Sequence, residues 1–450
     1  MSKHINLLEG NIFASLTKLA LPIMGTSLIQ MAYNMIDMIW IGRVGSNAVA
    51  AVGAAGMFMW MSETLVMLGR MGGQVKVGQL LGAKKPREAA QYAQNAFQMS
   101  LGLAFMYTIL MMVATGPLIG FFRLNNPQTV ADAQTYLRLV SLGTICSFAN
   151  QLFTGLITAT GNSRTPFLAT TAGLVLNIVL DPVLIFTFHM GVAGAAVATV
   201  IAQLLVTILF LLYALKDSVL FSQVRLFRRP NFSVWGEIAK IGLPPAVQTL
   251  MFSGISMVIA RLIAGFGDAA VAVQKVGSQI ESISWMTADG FGAAVNSFVA
   301  QNYGSGNLHR AKKGYQSALG LMMIWGVFSS CLLLFLPGPV FQIFIQDPQV
   351  LPMGIEYLSI LGFSQLFMCM ESVTGGAFSG MGKTFPPSLV SVTFTAARIP
   401  LAMLLGSTAL GLCGVWWSIS ISSILKGVII TVWFCFFLRR VMRTKAVAPV

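Results

Sequence analysis

The sequence predicts an all-α polytopic membrane protein, with twelve transmembrane helices in two parallel six-helix repeats (lobes) around a central cavity. Three observations predict this fold class. The 450-residue chain is 56% hydrophobic and only 9% charged, and its mean hydropathy of +0.77 is too high for a soluble domain. Apolar stretches of about twenty residues, the length that crosses a bilayer core, recur along the chain. The second half of the chain also repeats features of the first.

The apolar stretches are expected to be helical, because the alternating pattern of a membrane β-barrel is absent. The first stretch follows a short polar segment and is too long for the apolar core of a signal peptide, so we expect it to remain in the mature protein. The predicted spans are 14–41, 48–70, 91–114, 133–157, 166–189, 192–215, 238–264, 270–300, 315–337, 353–378, 386–410 and 412–438.

The internal repeat consists of matching residues at a nearly constant shift. Six spans begin and end on one side of the membrane, so the two copies are predicted to be parallel and related by an axis along the membrane normal. We predict a first lobe at 1–215, a cytoplasmic linker at 216–237 and a second lobe at 238–450. The matched pairs are Leu21-Pro22 with Leu243-Pro244 (shift 222), Gly161 with Gly382 (shift 221), and Gly191 with Gly411 (shift 220).

The net charge of +14 is concentrated on one predicted side of the membrane. That side holds both termini and the linker, whereas the opposite loops offer little beyond Arg43 and Arg123. This positive-inside distribution predicts a multi-pass protein of the cell (inner or plasma) membrane with both termini in the cytoplasm. It also argues against nucleic acid as a partner. The five cysteines lie in apolar spans without a CxxC pair, which indicates small buried hydrophobic residues.

Polar residues inside three spans of the first repeat are the leading functional candidates. A carboxylate at such depth costs roughly 2.5–3.5 kcal/mol on insertion scales and marks an ion or substrate pathway. Hard cations prefer oxygen ligands, and two acids can share a proton, so this set predicts an H+ or Na+ site. Each pair below has i, i+4 spacing and shares a helix face. The pairs are Tyr33 with Asp37, Asn177 with Asp181, and Ala195 with Thr199.

Asp181 precedes Pro182, so we expect it to leave helical geometry and to free backbone carbonyl groups. Neither acid recurs in the second repeat, where the shift leads from Asp37 to Ile259 and from Asp181 to Ala402. Two copies of one unit should share the requirements of the fold, so a cluster in one copy indicates function. The alternative is a buried hydrogen-bonded knot that braces helices 1, 5 and 6.

The second repeat has charges of its own within its spans. They are interpreted either as a cation-attracting wall of the cavity or as pairs between helices with Arg398 or Lys275. Glu63, Arg70 and Arg138 are expected to pair or to extend toward the membrane surface. Pro22 should kink helix 1, as a gate or as a bend shared with Pro244. The substrate-cavity candidates are Asn34, Asn150, Gln151, Glu281, Asp289, Glu371 and Arg398.

Signatures of catalysis are missing from the sequence. The histidines His4, His189 and His309 are far apart, and the phosphate-binding pattern GxxxxGK[ST] does not occur. We therefore expect neither an enzyme nor a cofactor.

Several ordered motifs resemble those of the multidrug and toxic compound extrusion (MATE) transporters. The resemblance extends over nearly the whole chain. The motifs are Pro22 with Asp37, the Val-Gly-Gln-Leu-Leu-Gly-Ala-Lys segment after span 2, Ala-Thr-Gly-Asn-Ser-Arg-Thr-Pro at 159–166, Asn-Ile-Val-Leu-Asp-Pro at 177–182 and Gly-Val-Ala-Gly-Ala-Ala-Val-Ala-Thr at 191–199.

The resemblance implies export of cationic, often aromatic drugs driven by inward flow of H+ or Na+. In the DinF-like branch the first-lobe acids bind the coupling ion, a role that carries over to Tyr33, Asp37, Asn177, Asp181, Ala195 and Thr199. The NorM-like branch uses acids in spans 7 and 10. Here Phe252 stands at the span 7 position, and Glu371 is about three residues out of register, which favours the first-lobe mechanism.

The expected function is a secondary active multidrug antiporter that works by alternating access. Its expected partners are small cationic drugs and the lipid bilayer, and we expect a monomer. A lipid or glycolipid flippase is the main alternative, but it would need a cationic cavity for phosphate. An intramembrane enzyme would need a paired His/Asp or metal cluster, and a channel has no need of two asymmetric lobes.

Overall fold

The computed structural model describes residues 5–122, 124, 126–226, 228–345, 347–348 and 350–447, without the side chains of Asn34 and of residues 445–447. Arg123, one of the predicted outer-loop charges, and His4 lie outside this part. All regular structure within it is helical. The α-helices are α1 (Ile12–Val44), α2 (Ser46–Gly82), α3 (Pro86–Val113), α4 (Thr115–Gly120), α5 (Pro127–Ala159), α6 (Arg164–Pro182), α7 (Gly191–Lys216), α8 (Phe232–Ala264), α9 (Asp268–Gly304), α10 (Leu308–Phe335), α11 (Pro337–Gln342), α12 (Leu351–Gly362), α13 (Gln365–Gly380), α14 (Phe385–Ala396), α15 (Arg398–Gly406) and α16 (Gly411–Val447).

The all-helical membrane fold class is confirmed, and each predicted span falls on a helical segment. In the described residues, ten segments are long and apolar enough to cross a membrane, and α12 with α13, which meet at a 45° bend, form an eleventh. The predicted span 270–300 lies in α9, which has the same 37-residue length as α2. It is not among the segments apolar enough to count, and it carries Lys275, Glu281 and Asp289 together with several Ser, Gln and Asn residues.

The helices form two compact units, one built mainly from Gly25–Ala246 and the other from Asn6–Met24 with Val247 onward. These limits fall inside α1 and α8, close to Pro22 in α1 and to Pro244 in α8. Proline lacks the N–H that a helix interior requires. The predicted domain limits and the predicted kink at Pro22 stay predictions.

The sequence repeat corresponds to a repeated backbone geometry. The matched glycines Gly161 and Gly382 follow the ends of α5 and α13 with φ of 86° and 74°. Glycine adopts this left-handed conformation without the steric penalty of a side chain. Helices α5 and α13 are therefore equivalent elements of the two repeats.

Aromatic clusters fix the helices within each unit. In the first unit Phe153 of α5 stacks on Phe210 of α7, with ring centroids 5.5 Å apart. In the second unit the fully buried rings of Tyr357 and Trp416 meet edge to face at 5.1 Å. Such pairs add about 0.5–1.5 kcal/mol beyond their burial. They hold α5 against α7 and α12 against α16.

The segment before α1 is held by Arg310 of α10 in the second unit. The guanidinium donates hydrogen bonds to the carbonyl oxygens of Leu7 at 3.1 Å, Glu9 at 2.7 Å and Gly10 at 2.9 Å. Asn302 also donates to the Leu7 carbonyl, at 3.0 Å. Arg310, with Asn302 at Leu7, thus fixes the backbone of the segment that leads into α1.

Arg310→Ala is expected to release this segment locally. Hydrogen bonds to charged groups contribute about 1.5–3 kcal/mol, so amide hydrogen exchange of residues 7–10 should accelerate by about tenfold or more. Exchange measured by mass spectrometry on the detergent-solubilised protein checks this. The matched control is Lys313→Ala, an exposed cation on the same helix. Equal exchange in Arg310→Ala and the wild type would contradict the assignment.

Candidate ion-binding site

Two carboxylates from different helices meet inside the first unit. Asp181 of α6 is fully buried, at 0% exposure, and its Oδ1 accepts a hydrogen bond from Nδ2 of Asn177 at 2.8 Å. The Asp37 and Asp181 carboxyl groups lie within hydrogen-bonding reach of each other. Among the described residues, the buried Asp181 Oδ2 and Asp37 Oδ1 have no hydrogen-bond donor.

This arrangement favours a proton or a small cation at the acid pair. Two negative charges about 4 Å apart repel by about 4 kcal/mol at the effective dielectric constant of protein sites. A shared proton relieves the repulsion by turning one oxygen into a donor, and a small cation relieves it by taking both oxygens as ligands. The chemistry predicted for these two acids therefore has a geometric basis.

The remaining predicted ligands lie around the pair. Tyr33 lies within hydrogen-bonding reach of Thr199 and within electrostatic reach of Asp37 and Asp181. The Thr199 hydroxyl donates to the Ala195 carbonyl at 3.0 Å, so this carbonyl already accepts one hydrogen bond. The structure therefore brings all six predicted residues into one cluster, although their role in ion binding stays a prediction.

Tyr136 of α5 belongs to the same cluster and was not found from the sequence. It is 8% exposed and lies within electrostatic reach of both Asp37 and Asp181. Its phenol group can donate a hydrogen bond, which neither ionised acid can do. In the sequence it is one aromatic residue in an apolar span, and no spacing distinguishes it from a core residue.

The expectation that Asp181 leaves helical geometry is wrong. Asp181 remains in α6, which ends at Pro182, and the irregular backbone follows as a π-helical turn at Val183–Thr187. A helix can continue through a proline when only one backbone hydrogen bond is lost in the preceding turn. The wider π-helical turn that follows accommodates the change in hydrogen-bond spacing. Gly194 of α7 packs on this turn, since a β-carbon there would lie 2.8 Å from the Leu184 carbonyl. This close approach positions the α7 residues beside α6.

The second-repeat acids are engaged by neighbouring helices. Glu371 of α13 forms an ion pair with Lys426 of α16 at 3.0 Å and accepts a hydrogen bond from Ser391 at 3.2 Å. Asp289 accepts from Ser372 at 2.6 Å. The cationic partner of Glu371 is thus Lys426, which the sequence analysis did not single out. The pairing alternative raised there describes Glu371 better than a free cavity wall.

Arg398 and Glu281 complete this group in the second unit. The Arg398 guanidinium donates to the Ser422 hydroxyl at 2.5 Å and to the Ser423 hydroxyl at 3.0 Å. Glu281 lies within electrostatic reach of Arg398. Within the described residues, the buried Glu281 Oε1 has no hydrogen-bond partner.

The first-repeat cavity candidates make contacts between helices. Asn150 donates to the Gln203 side chain at 2.9 Å and accepts from Thr207 at 2.9 Å, which joins α5 to α7. Gln151 bridges two residues of α2, donating to Glu63 at 2.6 Å and accepting from Arg70 at 3.2 Å. The side chain of Asn34 lies outside the described residues. The assignment of these residues to a substrate cavity stays a prediction.

The sequence of this chain matches the model of a known protein family. The model, described as MatE, matches residues 22–183 and again 244–404, once in each repeat and over more than half of the chain. The chain belongs to the MatE family. MatE proteins are membrane transporters, so this chain is a transporter and not an enzyme. Among its described residues, no group of three or more His, Cys, Asp or Glu side chains is arranged to hold a metal ion.

Relatives of this MatE protein match it along most of its length. It is 28% identical to the probable multidrug resistance protein NorM of Thermotoga maritima over 407 residues, which cover 89% of this chain and 87% of the relative. It is 27% identical to the probable multidrug resistance protein YpnP of Bacillus subtilis over 440 residues, 91% of this chain and 93% of the relative. The DinF-like branch stays a prediction.

Solved structures share the fold. The crystal structure of MATE in the bent conformation aligns with a TM-score of 0.92 at 24% identity and covers 99% of this chain and 100% of that one. A MOP superfamily transporter from Pyrococcus furiosus aligns with a TM-score of 0.89 at 24% identity, over 98% of each chain. The MatE architecture is thus common to this chain and both structures.

Proposed function

We propose that this MatE protein is a secondary active antiporter that exports cationic, aromatic small molecules in exchange for H+ or Na+. We propose that it works by alternating access in the cell membrane, with both termini in the cytoplasm. The relatives named above as probable multidrug resistance proteins support drugs as the substrates. The relative named multidrug export protein MepA, from Staphylococcus haemolyticus, is 23% identical over 423 residues and supports the outward direction.

The observation that carries the proposal is the buried pair of Asp37 and Asp181. Each acid has a buried oxygen without a hydrogen-bond donor among the described residues, and the two carboxyl groups lie within hydrogen-bonding reach of each other. An acid without a partner is expensive in a membrane interior, and such residues usually serve an ion pathway. The position of both acids in the first repeat alone sets them apart from the requirements of the repeated fold.

The coupling follows from charge. With both acids ionised, the pair of Asp37 and Asp181 carries two negative charges with no cationic partner among the described residues, and these attract a cationic drug and a small cation alike. Binding of the small cation neutralises the site and removes the attraction for the drug. An interaction of about 4 kcal/mol changes the affinity by about a thousandfold, which is enough to exclude simultaneous binding.

The test is drug transport in proteoliposomes with the sodium and pH gradients imposed separately. We expect one of the two gradients to drive movement of a cationic aromatic dye against its own gradient, with counterflow of that ion. Asp37→Asn is expected to lower driven transport by about 100-fold at unchanged protein yield. The matched control is Asp132→Asn, an exposed acid that bonds Gln128 at 3.0 Å. Dye movement that ignores both gradients, or that survives Asp37→Asn, refutes the proposal.

A further inference from the structure

Five charged groups cluster in the second unit and have no role in the proposed ion site. Glu371 and Lys426 form its centre, with exposed fractions of 18% and 7%. Arg398 is 8% exposed and lies within electrostatic reach of Glu371 and Glu281. Asp289 lies within electrostatic reach of Glu371. Arg398 and Lys426 are buried, Glu281 and Glu371 are partly buried, and Asp289 is exposed. Charged groups inside apolar helices are seldom kept without a function.

The internal repeat shows which part of the Glu371 contact is shared by both copies and which part is specific to the second. Asn150 is equivalent to Glu371 by the shift of 221, and α7 is equivalent to α16. Asn150 reaches across to Gln203 and Thr207 of α7 with uncharged hydrogen bonds. Glu371 reaches across to Lys426 of α16 with an ion pair. Both copies therefore have a polar link at this place, and only the second copy makes it ionic.

The positions in the second repeat that are equivalent to the acid pair also differ in charge. The position of Asn177, which holds Asp181, corresponds to Arg398 by the shift of 221. Asp37 and Asp181 correspond to Ile259 and Ala402. The second copy thus has neither acid at this site and has a cation there.

The acids of the first cluster have no cationic partner in the described part of the chain, whereas those of the second cluster do. In the described residues, Asp37 and Asp181 have no ion pair with Lys or Arg, so the cluster carries two negative charges. The second cluster has three acids, Glu281, Asp289 and Glu371, against Arg398 and Lys426, which leaves one negative charge. Without Lys426 the second cluster would carry the same two uncompensated charges as the first.

We propose that Lys426 is a built-in counter-ion that stands in the second repeat where a mobile coupling ion would otherwise bind. Its ammonium group neutralises Glu371 and, being tethered to α16, cannot leave during transport. Lys426 therefore confines ion coupling to the first repeat and sets the number of ions moved per cycle. This inference rests on the proposed antiport function.

The test uses a background in which the first-repeat site is neutral, Asp37→Asn with Asp181→Asn. The thermal unfolding temperature of the purified protein is measured across sodium concentrations and across pH. In the background variant, we expect the second cluster to cause no change of the unfolding temperature with sodium concentration or with pH. When Lys426→Met is added to this background, Glu371 needs a new cation. Addition of Na+ or a lower pH is then expected to raise the unfolding temperature of this variant by a few degrees.

Lys426→Gln replaces Lys426→Met if that variant fails to fold, because glutamine removes the charge but keeps a hydrogen-bonding side chain beside Glu371, and the same ion response is expected. Glu371→Asn with Lys426→Gln is the control: it copies the neutral amide link of the first repeat, so it should fold in the same background and show no ion response. Other titratable groups facing the cluster are Tyr357 and Cys369. Their contribution is common to all variants and cancels in the comparison.

Two outcomes overturn the inference. One is an ion response of the background that Glu371→Gln or Glu281→Gln removes, since the second repeat would then bind a mobile ion despite Lys426. The other is a folded Lys426→Met variant without any new response. Failure of the antiport proposal is distinct from both, because it would appear as a wild-type protein whose dye transport ignores both gradients.

Discussion

Asp37→Asn and Asp181→Asn are each expected to lower ion-driven drug export by about 100-fold, near the upper end of coupling energies between two sites. The double variant should be no worse than either single variant. The two carboxyl groups lie within hydrogen-bonding reach and form one site, so loss of either acid removes the charge that the ion neutralises. Effects of residues that act as one unit are strongly non-additive.

The measurement is the initial rate of gradient-driven dye transport in proteoliposomes with matched protein content. Thermal unfolding in the presence and absence of Na+ provides a second readout, because an ion that binds the folded state raises its stability. Losses that multiply in the double variant would show two independent sites and would contradict a shared one. Tyr136→Phe extends the test, since it removes only the phenol donor near the pair.

Gly376→Ala is expected to destabilise the second unit by about 1–3 kcal/mol, the usual range for overpacking a tight contact. A β-carbon at Gly376 of α13 would overlap the carbonyl oxygen of Gly292 of α9. A backbone atom cannot rotate away as a flexible side chain can, so the two helices must separate. Close helix approach through small residues is a main source of membrane helix association.

The neighbouring glycine provides a matched control. A β-carbon at Gly375 meets no atom within 4 Å, and alanine is favoured over glycine in helices by about 1 kcal/mol. Gly375→Ala should therefore leave the unfolding temperature unchanged or raise it, whereas Gly376→Ala should lower it by several degrees. Equal effects of the two changes would show that α9 and α13 are not held at this contact.

The candidate ion site was predictable because its residues have regular spacing within single helices. Tyr33 with Asp37 and Asn177 with Asp181 are each one helical turn apart, so their shared faces follow from helix geometry. The second copy of the repeat supplied the comparison that set the two acids apart. Tyr136 and Lys426 were not predictable in this way, because each joins its cluster from a different helix.

The backbone conformation at Asp181 was also not predictable from the sequence. The Asp-Pro sequence predicts a local break, but the position of the irregular turn depends on how the helix is supported by its neighbours. Helix α7 packs on that turn through Gly194, and Asp181 keeps its helical geometry.

The sequence by itself determined the membrane class, the helical form of the chain, the twofold repeat and the presence of acids in one copy only. These features depend on composition and spacing along the chain, which are local properties. The tertiary structure alone decided that Asp37 meets Asp181, that Glu371 pairs with Lys426 and that Asn150 links α5 to α7. Such contacts depend on the rotation and tilt of each helix, which are set by packing between helices.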